Sequence, residues 1–138
     1  MRKIRDLDRR VLGVLCSREG EFYSELREQI PFLSEWGFDR SGIGYHVAFL
    51  ADSRAVPTKG RDTVRLFEVH GVSPELTTGG FINFEVIVAN GLIFGIDAVI
   101  GGSDDPWPKD EGQISVLTQE QFKSLALLAR DSQTMGHE

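Results

Sequence analysis

Two apolar runs, residues 81–89 and 92–100, flank the dipeptide Asn90-Gly91, and both dipeptide residues tolerate the positive φ that a type I′ turn requires. The pattern predicts a β-hairpin over Phe81 to Ile100. With Asn90 and Gly91 as the loop, Ala89 pairs with Leu92. Counting outward sets Val88 opposite Ile93, Val86 opposite Gly95 and Phe84 opposite Asp97. One face then carries Ile82, Phe84, Val86, Val88, Ile93 and Val99. The other carries Phe81, Ile87, Leu92, Phe94, Ile96 and Ile100 together with Asn83 and Glu85, so both faces are expected to be at least partly covered. This register puts Asp97 inside the cleaner apolar face, where an unpaired charge is costly. Three readings remain: a functional acid, a structural hydrogen bond to a loop amide, or a bulge near Gly95 that turns the carboxylate outward.

Upstream, Leu7, Val11, Val14 and Leu15 recur at helical spacing, with Asp6 placed to cap the first turn. A second amphipathic segment from Glu21 to Ile30 presents Phe22, Leu26 and Ile30 and is stopped by Pro31. The two helices are expected to form a hairpin that covers the sheet. Residues 31–42, PFLSEWGFDRSG, have no clear period and read as a packed loop or a short helical turn. Gly42 to Leu50 and Val64 to His70 alternate as strands, and GVSPELTTGG is a turn-rich connection into the central hairpin. Ile114 to Leu117 reads as a short edge strand. Thr118 and Gln121 have the spacing of a capping box for a C-terminal helix to about Arg130, with a frayed tail beyond it. Consecutive strands with no helix between them predict an α+β fold. Its expected form is an antiparallel sheet of four to five strands, with an N-terminal helical hairpin and the C-terminal helix packed on it.

At 138 residues the chain reads as one domain. Its one cysteine, Cys16, lies among Val11, Leu12, Val14 and Leu15 and reads as a buried apolar side chain. No run has signal-peptide or membrane-span length, which fits a reducing cytoplasm. Charge is unevenly spread. Residues 1–10 carry a net +3, whereas residues 61–138 hold five basic against twelve acidic groups within a total of −6. Such a surface repels phosphate backbones and favours a basic protein partner.

Candidates for proton transfer or hydrolysis are His46, His70, Glu68, Glu85, Asp97 and Asp104. Two strand histidines could act as acid and base on RNA, or join Asp97 at a metal, yet no short motif supports either. Walker, dinucleotide-binding and HExxH signatures are missing, and Gly101, Gly102, Asp104 and Asp105 lack the spacing of a calcium loop; no cofactor or metal is expected. The segment DDPWPKDE is the more informative surface. Trp107 ringed by Asp104, Asp105, Asp110 and Glu111 suits docking into a basic cleft. Alternatively, Trp107 covers a sheet edge and its acidic neighbours are solvated.

The order helix, helix, strands, strand-Asn-Gly-strand with an acid at Asp97, then DDPWP, resembles small bacterial α+β proteins that include immunity proteins of polymorphic or contact-dependent toxin systems. The likeness covers mainly Leu7 to Ile30 and Phe81 to Pro108. It implies a cytoplasmic protein that neutralises a cognate toxin, such as a basic nuclease domain, by stoichiometric binding, with no catalytic residues of its own. A small hydrolase or nuclease using the strand histidines, and a regulatory protein-binding domain, are the alternatives.

Overall fold

Along the chain run α1 (Asp6–Leu15), α2 (Glu21–Gln29), β1 (Leu33–Ser41), β2 (Gly44–Ala51), β3 (Val64–Val72), β4 (Phe81–Ala89), β5 (Leu92–Gly101), β6 (Ser115–Thr118) and α3 (Gln119–Met135). The computed structural model describes residues 1–135, with side chains as far as Leu128. Every strand pairing is antiparallel, and the sheet order is β1-β2-β5-β4-β3-β6. The predicted hairpin is therefore its centre. Asn90 and Gly91 take φ of 50° and 79°, as a type I′ turn demands.

One face of the sheet is buried under α1 and α2. Leu7, Val11, Leu12 and Leu15 from α1 and Leu26 from α2 share a core with Val47, Phe49, Val69, Ile82, Phe84, Val86, Val88, Ile93 and Ile96. Each fully buried Val, Leu, Ile or Phe contributes about 1.5–3 kcal/mol relative to an exposed one. Among the described residues the opposite face is covered at its β3–β6 corner alone. There Phe122 of α3 stacks on His70 with ring centroids 4.1 Å apart and approaches Phe81 at 5.1 Å. Thr118 and Gln121 make the expected reciprocal cap, Gln121 N donating to Thr118 Oγ1 and Thr118 N to Gln121 Oε1. The helix passes Arg130 and runs to Met135; residues 136–138 of the expected frayed tail lie outside the described residues.

The α+β antiparallel architecture matches the expectation, and six strands replace the expected four to five. The extra strand is β1, in the stretch read as a loop. Its period breaks because Trp36 is an inserted residue: Glu35 pairs with Phe49 and Gly37 with Ala48, which leaves Trp36 in a bulge. The hairpin register also shifts. Val88 does face Ile93, but Ile87 faces Gly95 and Glu85 faces Asp97. Phe94 is the inserted residue, and a one-residue slip moves every later side chain of β5 to the other face. Ile96 and Ile100 thus enter the core, Val99 is exposed, and Asp97 leaves the apolar face. A Cβ on Gly95 would lie 2.5 Å from the Val47 carbonyl oxygen, so this part of the seam admits only glycine. Asp6 is not a cap. It is the first helical residue, preceded by an extended Arg5, and its carboxylate pairs with Arg10 at 3.0 Å. Ile30 falls just beyond α2, in a 3₁₀ turn that includes Pro31.

Gln29 ends α2 with no exposed surface. Its Nε2 donates to Gly91 O at 2.7 Å and Val56 O at 3.0 Å, while its Oε1 accepts from Ile93 N at 2.9 Å. One amide thereby holds the hairpin tip, the loop after β2 and the end of α2 together. Gln29→Ala should cost roughly 3 kcal/mol, because buried backbone groups lose their partners. Urea unfolding with an unchanged m-value would show it as a lowered midpoint.

Candidate functional site

The Trp107 loop is built inward. Trp107 is 7% exposed; its backbone N donates to Gly42 O at 2.9 Å and its Nε1 to Glu111 Oε2 at 2.8 Å. Its ring meets Tyr45 edge-on with centroids 5.2 Å apart. Beneath it, the Tyr45 hydroxyl donates to Asp8 Oδ1 at 2.5 Å, and Arg5 spans Asp8 at 3.3 Å and Glu111 at 3.2 and 3.3 Å. The Arg5 guanidinium also lies over the Phe38 and Tyr45 rings. Burial pushes the Asp8 carboxyl above its usual range against the opposing pull of Tyr45 and Arg5. Burial first, then the Asp8 charge, raises the Tyr45 phenol. Trp107 and Glu111 are therefore engaged within the fold, and the Trp107 ring is buried rather than exposed as a docking anchor. Asp105 accepts from Ser103 and Thr77, while Asp104 and Asp110 are exposed.

The uncovered sheet face is different in character. Across its middle the pairings align Asp39 of β1, His46 of β2, Asp97 of β5 and Glu85 of β4. Nδ1 of His46 donates to Asp97 Oδ1, Arg65 of β3 donates to Glu85 Oε1, and Arg65 also lies 3.9 Å from Asp97 Oδ2. The His46 and Asp97 side chains are about half exposed, and Glu85 is mostly covered. Next to this charged row runs a row of bulges. Trp36 and Gly37 lie opposite Ala48, whose other neighbour is Gly95, adjoining Phe94. A third bulge, in β3 between Leu66 and Val69, contains Phe67 and lies opposite Glu85, at the end of the charged row. All three bulge aromatics are exposed, Trp36 by 71%, Phe67 by 59% and Phe94 by 49%. They sit on alternate strands, β1, β5 and β3, whose axes are about 10 Å apart, with Phe67 offset along the strands from the other two.

The structure thus joins His46, Asp97 and Glu85 and separates His70, which lies three strands away from His46. His70 is packed on Phe122, with burial lowering its pKa. Glu68 accepts from Tyr23 and pairs with Arg18 at 2.7 Å, in a cleft of about 510 Å³ between the α1–α2 connection, β3 and the start of α3. Cys16 is fully buried, its thiol pushed up to about 12 by desolvation, which fits an inert core residue. Among the described residues there is no group of three or more His, Cys, Asp or Glu placed to hold a metal, and no helix long and apolar enough to cross a membrane. Trp36, Phe67 and Phe94 were not singled out by the sequence, although an aromatic followed by glycine inside a strand, as in Trp36-Gly37 and Phe94-Gly95, is a bulge signal. Comparison with protein families, with characterised proteins and with solved structures gives no match for this chain.

Two predictions concern the Trp107 side of the molecule. Tyr45→Phe removes a donor from the buried Asp8 carboxylate and should cost roughly 2 kcal/mol in chemical unfolding. The second is a pH effect. Hydrogen bonds hold Asp105 below its usual range, chiefly from the Ser103 hydroxyl and then Thr77, and hold Glu75 low through the backbone N–H groups of Asp110 and Lys109. Carboxylates that bind protons more weakly when folded add stability above their unfolded pKa of about 4, and it is lost as pH falls through the lower folded values. In a Trp36→Phe variant Trp107 is the one remaining tryptophan. Its fluorescence should show a transition below about pH 4, beyond any change that the raised Asp8 carboxyl brings at higher pH, and that lower transition should be displaced in Asp105→Asn.

Proposed function

We propose that this protein is a stoichiometric protein inhibitor of the immunity class, which neutralises a basic, nuclease-type toxin domain in the cytoplasm by covering it with the open face of its sheet. The observation that carries the reading is the set of three bulge aromatics, Trp36, Phe67 and Phe94, exposed beside the acids Asp39, Asp97 and Glu85. Clustered exposed apolar side chains mark interaction surfaces, whereas scattered single ones do not. Large aromatics dominate binding energy at such surfaces. An acidic chain of net charge −6 speeds encounter with a basic partner. Within the Trp107 loop, Asp104 and Asp110 remain available to extend the contact.

A second reading rests on the His46–Asp97 pair, which orients an exposed imidazole as an acid–base group would be oriented. Arg65 is already engaged by Glu85, leaving the anion-binding role that a phosphodiester substrate needs without a free cation at this row. Hydrolysis of RNA abolished by His46→Ala would favour that reading. A regulatory binding domain would use the same aromatic surface and leave its partner's activity intact.

The test is capture of the partner on tagged protein, followed by calorimetry with the purified pair. The expectation is one basic partner bound one to one, with its activity blocked. Trp36→Ala and Phe94→Ala should each weaken binding by about 2 kcal/mol, or some thirtyfold. Full affinity in the double variant would remove the sheet face from the reading.

A further inference from the structure

Resting on that reading, we infer that the open face receives an amphipathic basic element of the partner, whose apolar side chains cover Trp36 and Phe94 while an arginine takes the place that Arg65 now holds between Glu85 and Asp97. The aromatic row supplies the apolar half of the argument. Trp36 and Phe94 are two strands apart on the same cross-strand row, so their rings flank a floor of Gly37, Ala48 and Gly95 that has no bulky side chain. A partner ridge can settle between them, as a flat or convex floor would not allow.

The charged row supplies the other half and sets the direction. It lies one inward–outward repeat along the strands from the aromatic row, about 7 Å away. Apolar and cationic groups on adjacent turns of one partner helix, or two residues apart on one strand, reach both rows together. The Arg65 contacts show that a guanidinium fits between the two carboxylates, and Arg65 itself is more than half exposed on a mobile-length side chain. It is held at a surface ion pair of small net worth, so a partner arginine that brings apolar contact with it displaces Arg65 to solvent. Asp39, Asp97, Glu85 and Arg65 give the two rows a formal net charge of −2 before binding.

The sharp consequence is that Arg65 opposes binding. The probe is an acetylated eighteen-residue peptide of leucine and arginine in helical amphipathic order, titrated into isotopically labelled full-length protein and followed by NMR. Its two controls carry glutamate for arginine and serine for leucine. Amide shifts confined to β1, β2, β4 and β5 around Trp36, His46, Glu85, Phe94 and Asp97 are expected for the leucine–arginine peptide alone. Arg65→Ala should tighten binding several-fold, Asp97→Asn should weaken it several-fold, and Trp36→Ala should weaken it tenfold or more. Weaker binding in Arg65→Ala, or equal binding of the serine control with shifts spread over Asp104 and Asp110, overturns the inference. The same variants assayed on the captured partner separate the two ideas. If Trp36→Ala abolishes its binding while Arg65→Ala and Asp97→Asn leave it unchanged, the inhibitor reading stands and the arginine position falls.

Discussion

A carboxylate with no exposed surface fixes how the helical layer meets the sheet. Asp8 of α1 is held from β2 by the Tyr45 hydroxyl and from its own helix start by Arg5, and Arg5 continues to Glu111 and through it to Trp107. Burying an ion pair adds little net stability, since desolvation offsets most of the attraction, but removing one partner is expensive. Such a network therefore acts by exclusion. A sliding of α1 by one turn, or a different path for the loop around Trp107, would strand a charge, so one arrangement is selected from the several that apolar packing alone would tolerate. The Arg10 guanidinium reinforces the choice by bonding the Glu111 and Ile114 carbonyls, which tie the same helix to the chain entering β6.

The sheet was legible wherever the period of two was unbroken. Tyr45, Val47 and Phe49 alternate with His46, and the structure buries the first three and exposes the fourth. It became illegible at the bulges. A strand that contains one inserted residue reads as two half-patterns out of phase, which hides β1 within PFLSEWGFDRSG; in β5 the bulge beside Gly95, one of the three readings the sequence leaves open for Asp97, is what turns that carboxylate off the apolar face. Buried polar residues were hidden for another reason. Gln29 and Asp8 look like solvent-facing members of amphipathic helices, and only the tertiary arrangement supplies the partners that make their burial tolerable.

The same two causes decide which aromatic and acidic side chains reach the surface. Of the two tryptophans, Trp107, ringed by acids, reads as an exposed anchor but is drawn inward by Tyr45 and Glu111, while Trp36, followed by glycine in an apparently featureless stretch, projects into solvent. Acidity alone does not distinguish a carboxylate that binds its own loop amides, such as Glu75, from one that faces outward, such as Asp104. That distinction depends on which backbone N–H groups the fold leaves unpaired.

The strand order has a kinetic meaning. β1 and β2 form one local hairpin, and β3, β4 and β5 form a local meander, so both can assemble from neighbouring chain. The β2–β5 pairing that joins them runs from Ala48 with Gly95 to Gly44 with Val99, closing loops of 47 to 55 residues. With both units formed, the flexible segment that this pairing closes is the connection of residues 52–63, and the length-dependent entropy of its closure is about 2 kcal/mol. The seam between the two units is thus the least local pairing of the central sheet, the kind of contact that topology makes slow to form.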